Sequence, residues 1–243
     1  MAAVDRKARS VAVVRRPSPT SAFLGAIAAI VRKDLITEYR SRELFTAMMV
    51  FSILVIIIFN FALELDIRTR RAVTAGVLWS TFVFAGTLGL TRSMAAEHDR
   101  GSFDGLLLAP VDRSAIYFGK VISNLAFMLL VQVTVLPVYS ILYDVSLLDA
   151  GLGLVILLGS IGYACVGTLL ASMAVQTRTR DVLLPILLLP IALPLVIAAV
   201  RASAGYLQGA DFSEIAPWLN LLLVYDVIFG ALAFMLYDFV VEE

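Results

Sequence analysis

Apolar runs of about 20 residues recur along the chain, each long enough to cross a hydrocarbon core of roughly 30 Å as a helix. Six such runs are expected, at about 44–63, 72–91, 121–143, 151–175, 182–200 and 217–237. The second is the least apolar, because it carries Thr74, Ser80, Thr81 and Thr87. In the fourth, Ser160, Ala164, Thr168 and Ser172 recur at four-residue steps and form a column of small side chains that lets a neighbouring backbone come close. The fifth contains Pro185, Pro190 and Pro194, each of which removes a backbone donor and kinks a helix unless neighbours satisfy the freed carbonyl. A bent helix that moves and a static kink are both open readings of that run.

Ahead of the first run, residues 22–43 place Phe23, Ile27, Val31 and Leu35 on one line, with Arg32, Lys33, Glu38, Arg40 and Arg42 supplying charge. Ile30 and Ile36 interrupt the division. An amphipathic helix lying in the inner-leaflet interface is predicted, with a helix packed on a partner as the alternative. Glu38 and Arg42 stand at the spacing of a favourable pair. Residues 1–21 are basic and rich in Ser and Pro, which predicts a disordered tail. No apolar segment with a small-residue cleavage site follows them, so a cleavable signal peptide is not expected.

Composition fixes the class. The chain has 243 residues, 60% hydrophobic and 16% charged, too little polar surface for a soluble domain of that length. Barrel strands alternate over about 10 residues and these runs do not. The fold class is therefore an all-α polytopic membrane protein. With the N-terminus inside, the inner segments hold fifteen Lys and Arg and the outer loops four. Basic residues concentrate on the cytoplasmic side, so both termini and the 97–120 connection are expected there. Arg68, Arg70 and Arg71 dissent, beside Glu64 and Asp66. The net charge of zero gives no reason to expect nucleic acid as a partner.

Chemistry is sparse. Gly119-Lys120 is followed by Val121, so no phosphate-cradling G-x-x-x-x-G-K-[ST] loop exists here. The single histidine, His98, lies outside the apolar runs, which disfavours an intramembrane Ser-His protease and a bis-histidine haem or zinc site. No catalytic and no metal-ligating residues are assigned. Cys165 reads as a small packing residue. Asp226 stands alone within the sixth run, where a carboxylate costs about 2.5–3.5 kcal/mol unless it faces the bundle and is paired or protonated. A contact with a Tyr, Ser or Thr hydroxyl is expected, and a direct functional role is the alternative.

The chain thus has no visible engine, and the 97–120 segment, EHDRGSFDGLLLAPVDRSAIYFGK, gains weight. It exceeds the two to eight residues or so that join antiparallel helices. Gly101, Gly105 and Pro110 bound a short helix over Phe103–Ala109, and Asp112 is placed to cap the helix that enters the third run. Leu106, Leu107 and Leu108, rimmed by Glu97, Asp99, Arg100, Asp104 and Arg113, have the makeup of a protein-docking knob. Leucines dipping into the inner leaflet are the alternative.

This segment resembles the first cytoplasmic loop of the cytochrome c maturation protein B family, also called haem exporter protein B. The match takes in Glu97, Arg100, Gly101, Ser102, Phe103, Asp104, Gly105, Leu106 to Pro110, Arg113, Ser114, Gly119 and Lys120. The fifth run is similar as well, through Arg178, Asp181, Leu183, Leu184, Pro185, Leu187, Leu188, Pro190, Pro194 and Ile197. So is Arg32 to Glu43 ahead of the first run. The resemblance spans roughly residues 30–240; the basic tail and the acidic end at Asp238, Glu242 and Glu243 depart from it.

The resemblance implies an ABC-2-like (type V exporter-like) permease of six spans, with an N-terminal interfacial helix and a coupling helix between spans 2 and 3. It implies no enzyme activity in this chain, since ATP is bound and hydrolysed by a separate cytoplasmic subunit of the A type. Other implied partners are a haem-handling membrane subunit (C type), a small membrane subunit (D type), a periplasmic haem chaperone (E type) and membrane lipid. Haem is handled by the complex, and this chain is not assigned a cofactor. The expected location is a bacterial or archaeal inner membrane. An ABC-2 exporter of a lipid, drug or glycan and a non-transporting scaffold remain the rival classes.

The charge asymmetry gives a direct test of orientation. A cysteine introduced at 144–150 should react with an impermeant thiol reagent added outside, and one at 102–108 should not. The opposite labelling pattern would end the both-ends-inside arrangement.

Overall fold

The computed structural model describes residues 19–62, 67–99, 111–147, 149–174 and 180–240. These form seven helices and, among the described residues, no strand: α1 (Pro19–Ser41), α2 (Glu43–Ala62), α3 (Ile67–Asp99), α4 (Arg113–Tyr143), α5 (Ala150–Ala174), α6 (Arg180–Gln208) and α7 (Phe212–Val240). α2 to α7 are the six helices long and apolar enough to span a membrane, as the hydropathy pattern predicts. Residues 1–18 of the expected tail lie outside the described residues. Residues 19–21 do not belong to a tail; they open α1, where Pro19 needs no donor in the first turn.

The spans divide into two kinds. About 72% of the apolar stretch is buried in α3 and in α5, against 22–33% in the other four. α3 and α5 are the axis of the bundle and the rest surround them. This explains the weak hydropathy of the second run: Thr74, Thr81 and Thr87 face protein, where hydrogen bonds are available, and not lipid. The small column of α5 is fully interior, and it faces α4. Ser160 exchanges hydrogen bonds with Gln132, and Thr168 accepts from the Asn124 amide at 3.0 Å. Cys165 is buried and reduced, as a packing residue should be.

Helix ends are set locally. Asp112 accepts from Ser114 N–H at 3.0 Å and caps α4, as its position predicts. Asp149 accepts from Leu152 N–H and caps α5 in the same way. α6 closes at Gly209, whose φ of +69° suits a residue without Cβ. All three prolines of the fifth run lie inside α6, which runs unbroken. The Tyr225 hydroxyl of α7 donates to the Ile191 carbonyl, one turn before Pro194, where the ladder is loosened.

α1 meets the bundle differently. Phe23 touches Phe118 edge-on, and Asp34 reaches Lys120. The stretch of α1 from Phe23 to Asp34 thus packs on the first turns of α4. Ile30, off the expected line, is the buried residue, while Leu35 stays exposed. The reason is Gly119: a Cβ there would lie 2.9 Å from the Ile30 Cβ, so its absence makes the seat for Ile30. Leu24, Ile27, Val31 and Leu35 line an open apolar groove with Ile122. Glu38 also has another partner than expected. It accepts from Phe45 N–H at 2.8 Å and caps α2, while Arg42 turns the chain at φ +56° and lies over the Tyr39 ring.

Close packing at the axis can be tested on two glycines of α5. A Cβ at Gly159 would fall 2.2 Å from the Trp79 ring, and that indole is held by its N–H bond to Ser203. A Cβ at Gly153 would meet nothing within 4 Å. Gly159→Ala should therefore destabilise the bundle by about 1–3 kcal/mol. Gly153→Ala should be neutral or stabilise by up to about 1 kcal/mol. Unfolding of the purified protein in detergent measures both.

Candidate functional site

The segment singled out in the sequence is flanked by two helix ends that meet. α3 does not stop where its apolar run stops near Thr91; it continues through Ser93, Met94, Ala95 and Ala96 to Asp99. Nothing in that stretch breaks a helix before Gly101, and alanine favours it. Glu97 is therefore in the last turns of α3 and not in a loop. α4 starts at Arg113, so that residue opens a helix. Arg100, Gly101, Phe103, Asp104, Gly105, Leu106, Leu107, Leu108 and Pro110 lie outside the described residues, and so does the expected short helix.

Between the two stems lies a cluster of four charges. Lys120, two turns into α4, is only 1% exposed, and its Nζ lies 2.8 Å from Asp34 Oδ2 of α1. Lys120 also pairs with Glu97 of α3. Lys33 completes the set at 2.6 Å from Glu97 and 3.2 Å from Asp34. Two cations and two anions from three helices thus neutralise one another beneath a polar groove of about 510 Å³, which Thr37, Glu38, Ser41, Glu43 and Arg92 also line. Burial works to lower the Lys33 ammonium, and the Glu97 and Asp34 carboxylates outweigh it, holding it above its ordinary 10.5. The group stays charged at any physiological pH.

Glu97, read in the sequence as part of a charged rim for a partner, is turned inward and 12% exposed. The physical reason is the continuation of α3, which carries its side chain back over the bundle toward Lys120. Lys33, Asp34 and Lys120 escaped the sequence reading as a unit. A signal existed, since Lys120 lies in a stretch where Ala115 to Gly119 is already largely apolar, and a lysine there needs a partner. Nothing in the sequence named that partner as a residue of α1.

Around this site the interior is aromatic. Tyr117 packs on Tyr237 with ring centroids 5.0 Å apart and donates to the Cys165 carbonyl. Phe118 links Phe23 of α1 to Phe234 of α7. Among the described residues the arrangement contains no nucleophile beside a base. It is a set of attachments that fixes three helices at the root of one connection.

Asp226 lies elsewhere, in the core between α5, α6 and α7. For its Oδ1 the expected hydroxyl partner is not found among the described residues. Its Oδ1 is buried without a hydrogen bond among the described residues, and the neighbouring Tyr225 hydroxyl is committed to the Ile191 carbonyl. The carboxylate reaches this depth because Gly162 leaves room; a Cβ there would lie 2.3 Å from Oδ1.

Comparison with known proteins matches residues 25–238 to the family model described as CcmB protein. Among curated relatives, heme exporter protein B of Bradyrhizobium diazoefficiens is 24% identical over 185 residues, covering 76% of this chain and 83% of the relative. Heme exporter protein B of Pseudomonas aeruginosa is 25% identical over 172 residues, covering 70% and 77%. That of Rhodobacter capsulatus is 26% identical over 170 residues, covering 70% and 78%.

The cluster predicts unequal effects of removing its two cations. Lys120→Ala leaves two carboxylates short of a partner in a buried place and should cost about 3–5 kcal/mol. Lys33, 39% exposed, should cost no more than about 1 kcal/mol when truncated. Unfolding midpoints in detergent decide it, and equal losses would contradict the assignment of Lys120 as the buried centre.

Proposed function

The chain belongs to the CcmB protein family, and from that premise we propose that it is the membrane subunit of an ATP-driven, haem-exporting complex that serves cytochrome c maturation. The observation that carries this reading is the family match over residues 25–238, which takes in the whole 97–120 segment. The names of the relatives, heme exporter protein B, support haem as the cargo of the assembly.

In this reading the 100–110 connection faces the cytoplasm and docks on an ATPase subunit of the A type. Leu106, Leu107 and Leu108 supply buried apolar area, and Arg100, Asp104 and Arg113 set the register at the rim. Gly101, Gly105 and Pro110 bound the docking helix, and Phe103 adds to its apolar side. Closure of the ATPase then moves the connection and the two spans that hold it. ATP hydrolysis on the partner is thereby coupled to haem delivery and release of the loaded chaperone (E type), together with the C- and D-type membrane subunits. Both termini lie inside, in a bacterial or archaeal inner membrane. Haem is handled by the complex and not ligated by this chain, because free haem takes an axial ligand and His98 stands outside the apolar spans.

Two measurements test this. Leu107→Asp puts an unpaired charge into a packed interface and should cost about 3–5 kcal/mol there. The ATPase should be lost and cytochrome c assembly abolished while the chain still inserts in normal amounts. Truncating an exposed rim charge, Asp104→Ala, should cost no more than about 1 kcal/mol. Co-purification of the ATPase, normalised to the amount in the membrane, reads both variants. An unchanged yield for Leu107→Asp sinks the docking reading in favour of leaflet insertion. Purified alone, the chain should also show no stoichiometric Soret band of the histidine-ligated type; a bound-haem spectrum that His98→Ala abolishes would overturn that part.

A further inference from the structure

The 100–110 connection has two stems, and both end at the same buried cluster. Glu97 closes the stem from α3, and Lys120 stands in the stem that opens α4. Lys120 joins them to each other and to Asp34 of α1. Next to it, Gly119 lets Ile30 of α1 approach to where a Cβ would lie 2.9 Å away. We propose that Lys120 is a positioning residue that locks α1, the end of α3 and the start of α4 into one rigid unit, so that α1 moves only together with the α4 stem. The proposal rests on the reading that the connection docks on an ATPase subunit, and it adds a moving part, α1, that the reading does not require.

Two independent features make the unit rigid. The first is electrostatic. Buried ion pairs roughly break even in stability against an apolar replacement, but separating them strands a charge in a poorly hydrated place. The cluster therefore penalises any arrangement in which one of the three helices shifts alone, which is a registry function. The second is steric. Ile30 is 5% exposed and seated in the notch at Gly119, which resists sliding of α1 over α4. The edge contact of Phe23 with Phe118 holds the other end of α1, and Phe118 is itself packed on Phe234 of α7.

The test follows the separation of α1 from the far end of α4. In a Cys165→Ala background, spin labels are placed at Tyr39→Cys and Ile141→Cys, positions 78% and 80% exposed and outside the cluster. The parent should give one narrow distance distribution, unchanged when the ATPase subunit and nucleotide are added. Lys120→Met should broaden the distribution at least about two-fold or split it, and Lys120→Arg should keep it narrow. Asp34→Asn, with the same expected broadening, serves if Lys120→Met does not insert. A parent distance that shifts with nucleotide, or a Lys120→Met distribution as narrow as the parent's, overturns the rigid unit. Docking is read separately by co-purification of the ATPase with the parent. A chain that retains none sinks the docking reading, while the widths measured on the isolated chain still decide whether Lys120 holds α1.

Discussion

Hydrocarbon accepts no hydrogen bonds, so each polar side chain drawn into the bundle must find its partner on another helix or on its own backbone. The arrangement of the spans follows from this. Trp79 reaches Ser203, Thr87 reaches Tyr163, Gln132 reaches Ser160 and Asn124 reaches Thr168. Tyr139 and Tyr117 turn their hydroxyls to the carbonyls of Thr74 and Cys165. These contacts converge on α3 and α5, which is why the two spans poorest in lipid-facing surface form the axis. Glycines at the same helices bring the backbones close enough for short side chains to meet, as Gly159 does beneath the indole of Trp79.

The same constraint acts with greater force on charge at the end of the bundle that carries the 100–110 connection. A lysine as buried as Lys120 is tolerable only with carboxylates at hand, and they come from two other helices. Meeting that demand ties α1 and the continued end of α3 to the base of α4. Solvation of one ammonium group thus organises the surroundings of the connection on which the proposed coupling depends. Asp226 shows the opposite solution. Its Oδ1 lies against Gly162, buried without a hydrogen-bond partner among the described residues.

For function, the division of labour matters more than any single residue. The described residues offer no catalytic pair, the sequence has no phosphate-cradling loop, and the charged centre is tied up in structure. In the proposed function, work arrives from outside through a mechanical contact. A stiff root beneath the connection suits that purpose, because a compliant one would dissipate displacement in local rearrangement.

The sequence by itself determined the class, the number of spans and several local details. Hydropathy registers transfer into hydrocarbon, and that is a property of each segment alone. The Asp112 cap and the inward column from Ser160 to Ser172 were legible for the same reason, since capping and four-residue spacing are local. What only the tertiary structure decided is which groups meet. The convergence of Lys33, Asp34, Glu97 and Lys120, the seating of Ile30 at Gly119, the turn of Glu38 toward α2 and the burial of Asp226 Oδ1 against Gly162 depend on contacts that only the folded chain makes. Lipid is as apolar as the side chains facing it, so hydrophobicity does not choose among lateral arrangements. Small notches and scarce polar partners do, and their pairing exists only once the helices are side by side.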